Sequence, residues 1–162
     1  MVAYLFRMPS GIPGDVSRAS QSTIESGFFN PSNPFTAYGL PGKIVNGQFV
    51  PLAAGDTAAV VYGLLVRPYP TTGANASDPL GTSVPPTSGT CNILRRGYLT
   101  VLNVAGTPAL NGPVFSRTAN ASSPTFIGDI EAAAVAGDTI QLNATFMNAG
   151  DASGNVEIGY NI

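Results

Sequence analysis

No histidine and no tryptophan occur among the 162 residues, and cysteine and lysine occur once each, as Cys91 and Lys43. Histidine is the usual general base near neutral pH and the commonest metal ligand. Its absence removes most hydrolase triads and most zinc, copper and haem sites together. One thiol cannot close an internal disulfide, and with no histidine to activate it Cys91 reads as a structural or incidental thiol. One lysine leaves little for Schiff-base chemistry. Charge is scarce too: 10% of residues are charged, against about 25% in ordinary globular proteins. A net charge of −2 offers no basic face for nucleic acid. No run approaches the ~18 apolar residues of a membrane span. The apolar run Val2 to Phe6 has no basic residue before it, so no secretory signal is expected. The Asn-x-Ser/Thr sequons at Asn75, Asn120 and Asn143 then read as chance occurrences in an Asn/Thr-rich chain. These absences predict no catalytic residue, no cofactor, no metal, no nucleic-acid or membrane partner, and synthesis in a cytoplasm.

What is present is glycine (19) and proline (14), scattered along the whole chain. Either residue inside a helix costs ~1 to 3 kcal/mol relative to alanine, so long helices are disfavoured and short strands between turns remain. The expected fold is all-β: a single antiparallel β-barrel or jelly-roll-like sandwich over residues 37–162, preceded by an irregular, extended arm over residues 1–36. In the arm, Pro9, Pro13, Pro31 and Pro34 fix a course that cannot join the middle of a sheet. The same segment carries Tyr4, Phe6, Phe28, Phe29 and Phe35, and aromatics on an irregular segment need a surface to bury against. Phe35 is assigned to its own domain, while Phe28 and Phe29 divide evenly between the domain and a neighbour. The contact set proposed for a partner is Tyr4, Phe6, Phe28 and Phe29, with Arg7 and Arg18 on the rim.

Along the body, Asn46-Gly47 between Lys43-Ile44-Val45 and Gln48-Phe49-Val50 predicts a two-residue type I′ hairpin. Ala59 to Arg67 is nearly continuously apolar and predicts a strand with both faces covered. Residues 71–90 read as a long loop, and Asn92 to Val104 as a strand. Ala54-Gly55-Asp56-Thr57 recurs as Ala136-Gly137-Asp138-Thr139, a repeated turn signal. These turns lack the alternating ligand ladder and closing glutamate of a calcium loop, so turn chemistry is expected of them. Asp129 and Glu131 lie at i and i+2, ~6 to 7 Å apart on one face of a strand. A glycosidase would need two such acids in a cleft; a solvated edge pair is expected instead. Ile130 to Ala136 is read as strand in its first half, and Val156 to Ile162 as a closing strand.

Two stretches, Ala37-Tyr38-Gly39-Leu40-Pro41 through Asp56-Thr57 and Val61-Tyr62-Gly63-Leu64-Leu65-Val66-Arg67-Pro68-Tyr69-Pro70, resemble the structural cement, or capsid decoration, proteins of tailed bacteriophages. The similarity continues through Leu94 to Val101, Ile127 to Ala134 and Asp151 to Ile162, and so spans most of residues 10–162. The opening Tyr4-Leu5-Phe6-Arg7 lies outside it. The resemblance implies a non-enzymatic barrel or jelly roll on the exterior of the virion, bridging subunits of the major capsid protein. It also implies self-association as a homodimer or homotrimer at a capsid symmetry axis. The alternative is a ligand- or carbohydrate-binding β-sandwich, for example a tail-fibre tip. Such modules generally present tryptophan or tyrosine platforms to sugar faces, and tryptophan is absent.

Overall fold

Asn46 and Gly47 take φ of 50° and 76°, the left-handed values that a type I′ turn needs. They join β2 (Pro41–Val45) to β3 (Gln48–Pro51) with Val45 opposite Gln48. In the computed structural model, residues 11–68 and 82–162 are described. They hold nine strands and two three-residue 3-10 turns. The remaining strands are β1 (Thr23–Phe28), β4 (Gly63–Val66), β5 (Thr90–Ala105), β6 (Pro113–Arg117), β7 (Ile130–Glu131), β8 (Thr139–Phe146) and β9 (Asn155–Tyr160).

The spine is β5, sixteen residues without a proline. Its first half pairs with β4 on one side and β1 on the other. Its second half pairs with β9 and, in parallel, with β7. The order β5-β7-β6-β8-β9 returns to β5 and closes a five-stranded barrel. The expected antiparallel barrel is therefore present, with one parallel pair in it. Between the two halves sits Gly97, at φ 128°. A Cβ there would collide with the side chain and Cα of Ser22. The strand turns from sheet into barrel at the one residue type that accepts both the dihedral and the close approach.

Two apolar cores follow from this division. Inward-facing Leu142, Ala144 and Phe146 of β8 alternate with exposed neighbours and meet Val156 and Ile158 of β9 and Leu99 and Val101 of β5. The sheet β3-β2-β4-β5-β1 wraps a second core of Phe29, Phe35, Tyr38, Phe49, Leu65, Cys91 and Ile93. In it Phe35 stacks on Phe49 at 4.9 Å and meets Phe29 edge-on at 6.3 Å, the offset and T-shaped arrangements that ring quadrupoles favour. All four residues of β4 are buried, Leu64 and Val66 in the barrel core and Leu65 in the second. The doubly apolar run thus lies between core and core, although its regular strand is shorter than the sequence suggests, because residues 58–60 form a 3-10 turn.

Residues 11–36 lie against the body. The Gly14 N–H donates to the Thr100 carbonyl at 2.8 Å, the Arg67 N–H to that of Gly14 at 2.8 Å, and the Thr100 N–H to that of Asp15 at 2.9 Å. Residues 23–28, read as extended arm, form strand β1 along β5. Ile130 and Glu131 are the only strand residues of the 130–136 segment. The two Gly-Asp turns converge on one residue: the Gly55 N–H donates to the Thr118 carbonyl at 2.9 Å, and the Thr118 N–H to that of Asp138 at 2.7 Å.

Candidate functional site

Of the expected contact residues, strand β1 carries one, Phe28, and places it on the outside. Ile24, Ser26 and Phe28 share one face by strand alternation, and Phe28 is 60% exposed. Phe29, its neighbour in sequence, points the other way and is 4% exposed in the second core. It fixes the end of β1 through a bridge to Phe49 of β3 and so supports Phe28 from behind. Tyr4, Phe6 and Arg7 lie outside the described residues.

Arg18 precedes β1 and is held on the barrel wall. Its Nε and Nη2 donate to the two carboxylate oxygens of Glu157 at 3.1 and 2.9 Å, and its guanidinium lies 3.9 Å above the Tyr98 ring. The hydrogen bonds it donates to Glu157 raise its pKa. A bidentate carboxylate and an aromatic face together suit a planar guanidinium better than an ammonium. At the other edge of β1, Tyr62 donates its hydroxyl to Glu25 at 2.7 Å, Arg95 donates to the Tyr62 carbonyl, and the Arg95 guanidinium lies 3.5 Å above the Tyr62 ring. Arg18, Glu25 and Arg95, beside β1, are thereby paired within the chain, while Arg96, opposite Thr23, is exposed; the stripe Ile24, Ser26 and Phe28 is itself neutral.

The acids and the thiol that a catalyst would use have other employment. Cys91 is buried in the second core, and burial pushes its thiol pKa up, away from the thiolate a nucleophile requires. The Asp129–Glu131 pair is not the solvated edge pair expected. Glu131 has no exposure and receives a bidentate pair from Arg117, Nη2 to Oε2 at 2.8 Å. Asp138 lies 3.7 Å from the same guanidinium. The signal missed is that Arg117 and Glu131 sit on adjacent strands, β6 and β7, with Ser116 opposite Ile130. A separation of fourteen positions in sequence hides that proximity. Asp56 takes the turn role expected of it, accepting from the Ala53 N–H at 2.7 Å and from Lys43 at 2.7 Å. Among the described residues no group of three or more acidic or thiol side chains could hold a metal ion, and no helix is long and apolar enough to cross a membrane.

A family model described as XM1 gp53 minor capsid protein matches residues 1–160. Among solved structures, a chain from the capsid of Myoviridae phage XM1 superposes with a TM-score of 0.69 at 19% sequence identity, covering 98% of this chain and 95% of that one. At that identity the likeness is one of fold. No curated protein matches.

Proposed function

The chain belongs to the XM1 gp53 minor capsid protein family, a component of the phage virion, and from that membership we propose that it decorates and cements the outer surface of the head. In this reading it bridges subunits of the major capsid protein and self-associates on the lattice. The observation that carries it is Phe28: a large ring, 60% exposed, on a strand braced by a buried neighbour, with Arg18 and Glu25 beside it engaged within the chain. An anchor of this kind contributes its apolar area on docking, at ~25 cal/mol per Å² before ordering costs. Ile24 lies beside it, Arg18 sits on the rim, and Tyr4, Phe6 and Arg7 of the N-terminal segment complete the proposed contact set. Repeated over many copies per head, such contacts would resist the outward pressure of packaged DNA.

The test is reconstitution. Purified protein is mixed with heads lacking it, and bound copies are counted after sedimentation. Saturable binding to the exterior is expected, with a loss of ten-fold or more in affinity for Phe28→Asp, about the 1.4 kcal/mol of a modest hot spot. Removal of residues 1–10 should also weaken binding. Heads that take up no protein, or bind Phe28→Asp as well as the parent, would refute the reading.

A further inference from the structure

Beside the first described residues lies a groove of about 250 Å³. Leu40, Val84, Leu102, Val104 and Ile130 give it apolar walls, and Arg67 and Asp129 are its charged members. Arg67 is turned over the Tyr38 ring at 4.4 Å and donates to the Pro13 and Ser83 carbonyls, so its charge is occupied within the chain. Val84 is 71% and Leu102 43% exposed, and contiguous apolar surface of this kind marks an interaction site. The volume falls below the ~300 Å³ at which small-molecule pockets begin. It suits a few side chains of a peptide.

The chain supplies such a peptide. Gly11 rests on Thr100, where a Cβ would lie 3.1 Å from the threonine hydroxyl oxygen. Thr100 and Leu102 share the outward face of β5, since Leu99 and Val101 fill the barrel core. Leu102 is thus ~7 Å and Val104 ~13 Å along the strand from the point where residues 1–10 join the body. Phe6 can lie up to ~17 Å from Gly11 and Val2 up to ~30 Å, so the apolar run Val2-Ala3-Tyr4-Leu5-Phe6 reaches the groove with length to spare. The other stretch that adjoins it is residues 69–81, which lead into Thr82 on the groove wall. By composition that stretch is the poorer occupant. Its large apolar residues, Tyr69 and Leu80, stand near its two ends, and Asp78 would bring a second carboxylate toward Asp129. Residues 1–10 carry no acid.

We propose that the groove holds this apolar run of the same chain, with Val2, Tyr4 and Phe6 inward by the alternation of an extended segment. Attachment at Gly11 makes the docking intramolecular, at an effective concentration in the millimolar range for a short linker. A groove too weak to capture a separate peptide therefore holds a tethered one. The capsid reading calls on Tyr4 and Phe6 too, so docking on a head requires the segment to leave the groove. The inference concerns the protein away from heads and is measured without them.

The chain has no tryptophan, so Tyr4→Trp places a single reporter in the full chain. Its emission should lie to the blue of a solvated indole, and acrylamide should quench it severalfold less than it quenches tryptophan in solution. Leu102→Asp or Val84→Asp, added to the reporter, sets a carboxylate on the groove wall at a position already exposed. Each should return emission and quenching to those of a solvated indole, with an unchanged far-UV circular dichroism spectrum. Either one decides the matter if the other unfolds. A reporter that is solvated without these substitutions leaves the groove to residues 69–81 or to another protein, and overturns the proposal. So does one that is shielded but indifferent to both, which puts the segment elsewhere on the body. Shielding that grows with protein concentration would assign the groove to the segment of a second copy, and docking within one chain would fail.

Discussion

Glu131 is a charged residue with no exposure, and both its oxygens receive the Arg117 guanidinium. A buried pair adds little over an apolar pair of the same size, yet removing one partner strands the other charge in a poor solvent. Glu131→Ala is therefore expected to lower unfolding stability by about 3–5 kcal/mol, read from urea midpoints, with Asp138 at 3.7 Å compensating only in part. Asp129 behaves in the opposite sense. Burial raises its pKa above the ordinary 3.8, Glu131 adds to the rise, and the Phe126 N–H and Arg117 oppose it. A carboxyl that binds its proton more tightly when folded contributes stability below the ordinary pKa and loses that contribution as pH rises through the folded pKa. Asp129→Asn should thus be at least as stable as the parent at pH 7, and its advantage should vanish as pH falls to 3.8 and below. An Asn variant clearly less stable at pH 7 would contradict the assignment. The adjacent pair Phe28-Phe29 shows what a residue-level reading can reach. Strand alternation requires one ring in and one out, but which is which depends on Phe49, twenty residues on, and on β5, more than sixty residues away.

At the scale of elements, what was legible is what local chemistry decides. Asn46-Gly47 makes its turn from its own dihedral preferences, Gly55-Asp56 and Gly137-Asp138 do likewise, and the apolar run at Leu64-Leu65-Val66 shows its double burial by composition. What was not legible depends on distant partners. Thr23-Ile24-Glu25-Ser26-Gly27-Phe28 is a weak strand sequence that extends because β5 offers it a ladder. Ile130-Glu131 is a strand because β5 and β6 flank it, and the alanines after it make no strand. The outer stripe of β1 was therefore only half visible, through the aromatic doublet and not through the strand that presents it. Among the elements β5 bears most of the architecture, since both sheets share it, and Gly97 is where it bends. Gly97→Ala would place a methyl against Ser22 and force an alanine to φ 128°. Strain of this kind costs of order 1–3 kcal/mol before the clash, and both sheets should loosen together. A single cooperative transition at lower temperature is expected by circular dichroism. Ser22→Gly in the same chain should recover only a small part of the loss, since it removes the clash with the Ser22 side chain but neither the contact with its Cα nor the dihedral strain.

For the whole molecule the sparse charge acquires a use. Of seven cationic and nine acidic side chains, Arg18, Lys43, Arg95 and Arg117 are paired with Glu157, Asp56, Glu25, Glu131 and Asp138. Arg67 is folded inward over Tyr38, donating to the Pro13 and Ser83 carbonyls. Little free charge is left to steer an encounter or to be released from one. A contact made by such a surface should draw on apolar burial, which responds differently to salt than charge pairs do. The Debye length shrinks from about 10 Å at 0.1 M to about 3 Å at 1 M, which weakens exposed ion pairs and leaves buried rings unaffected or slightly favoured. Binding of the protein to heads is therefore expected to change by less than about ten-fold between these ionic strengths, with a negative heat-capacity change, the marker of apolar burial. Titration calorimetry at the two salt concentrations and several temperatures checks both. Release of the protein by 1 M sodium chloride would mean that charges outside the paired set carry the contact, and the neutral stripe on β1 would lose its place as the anchor.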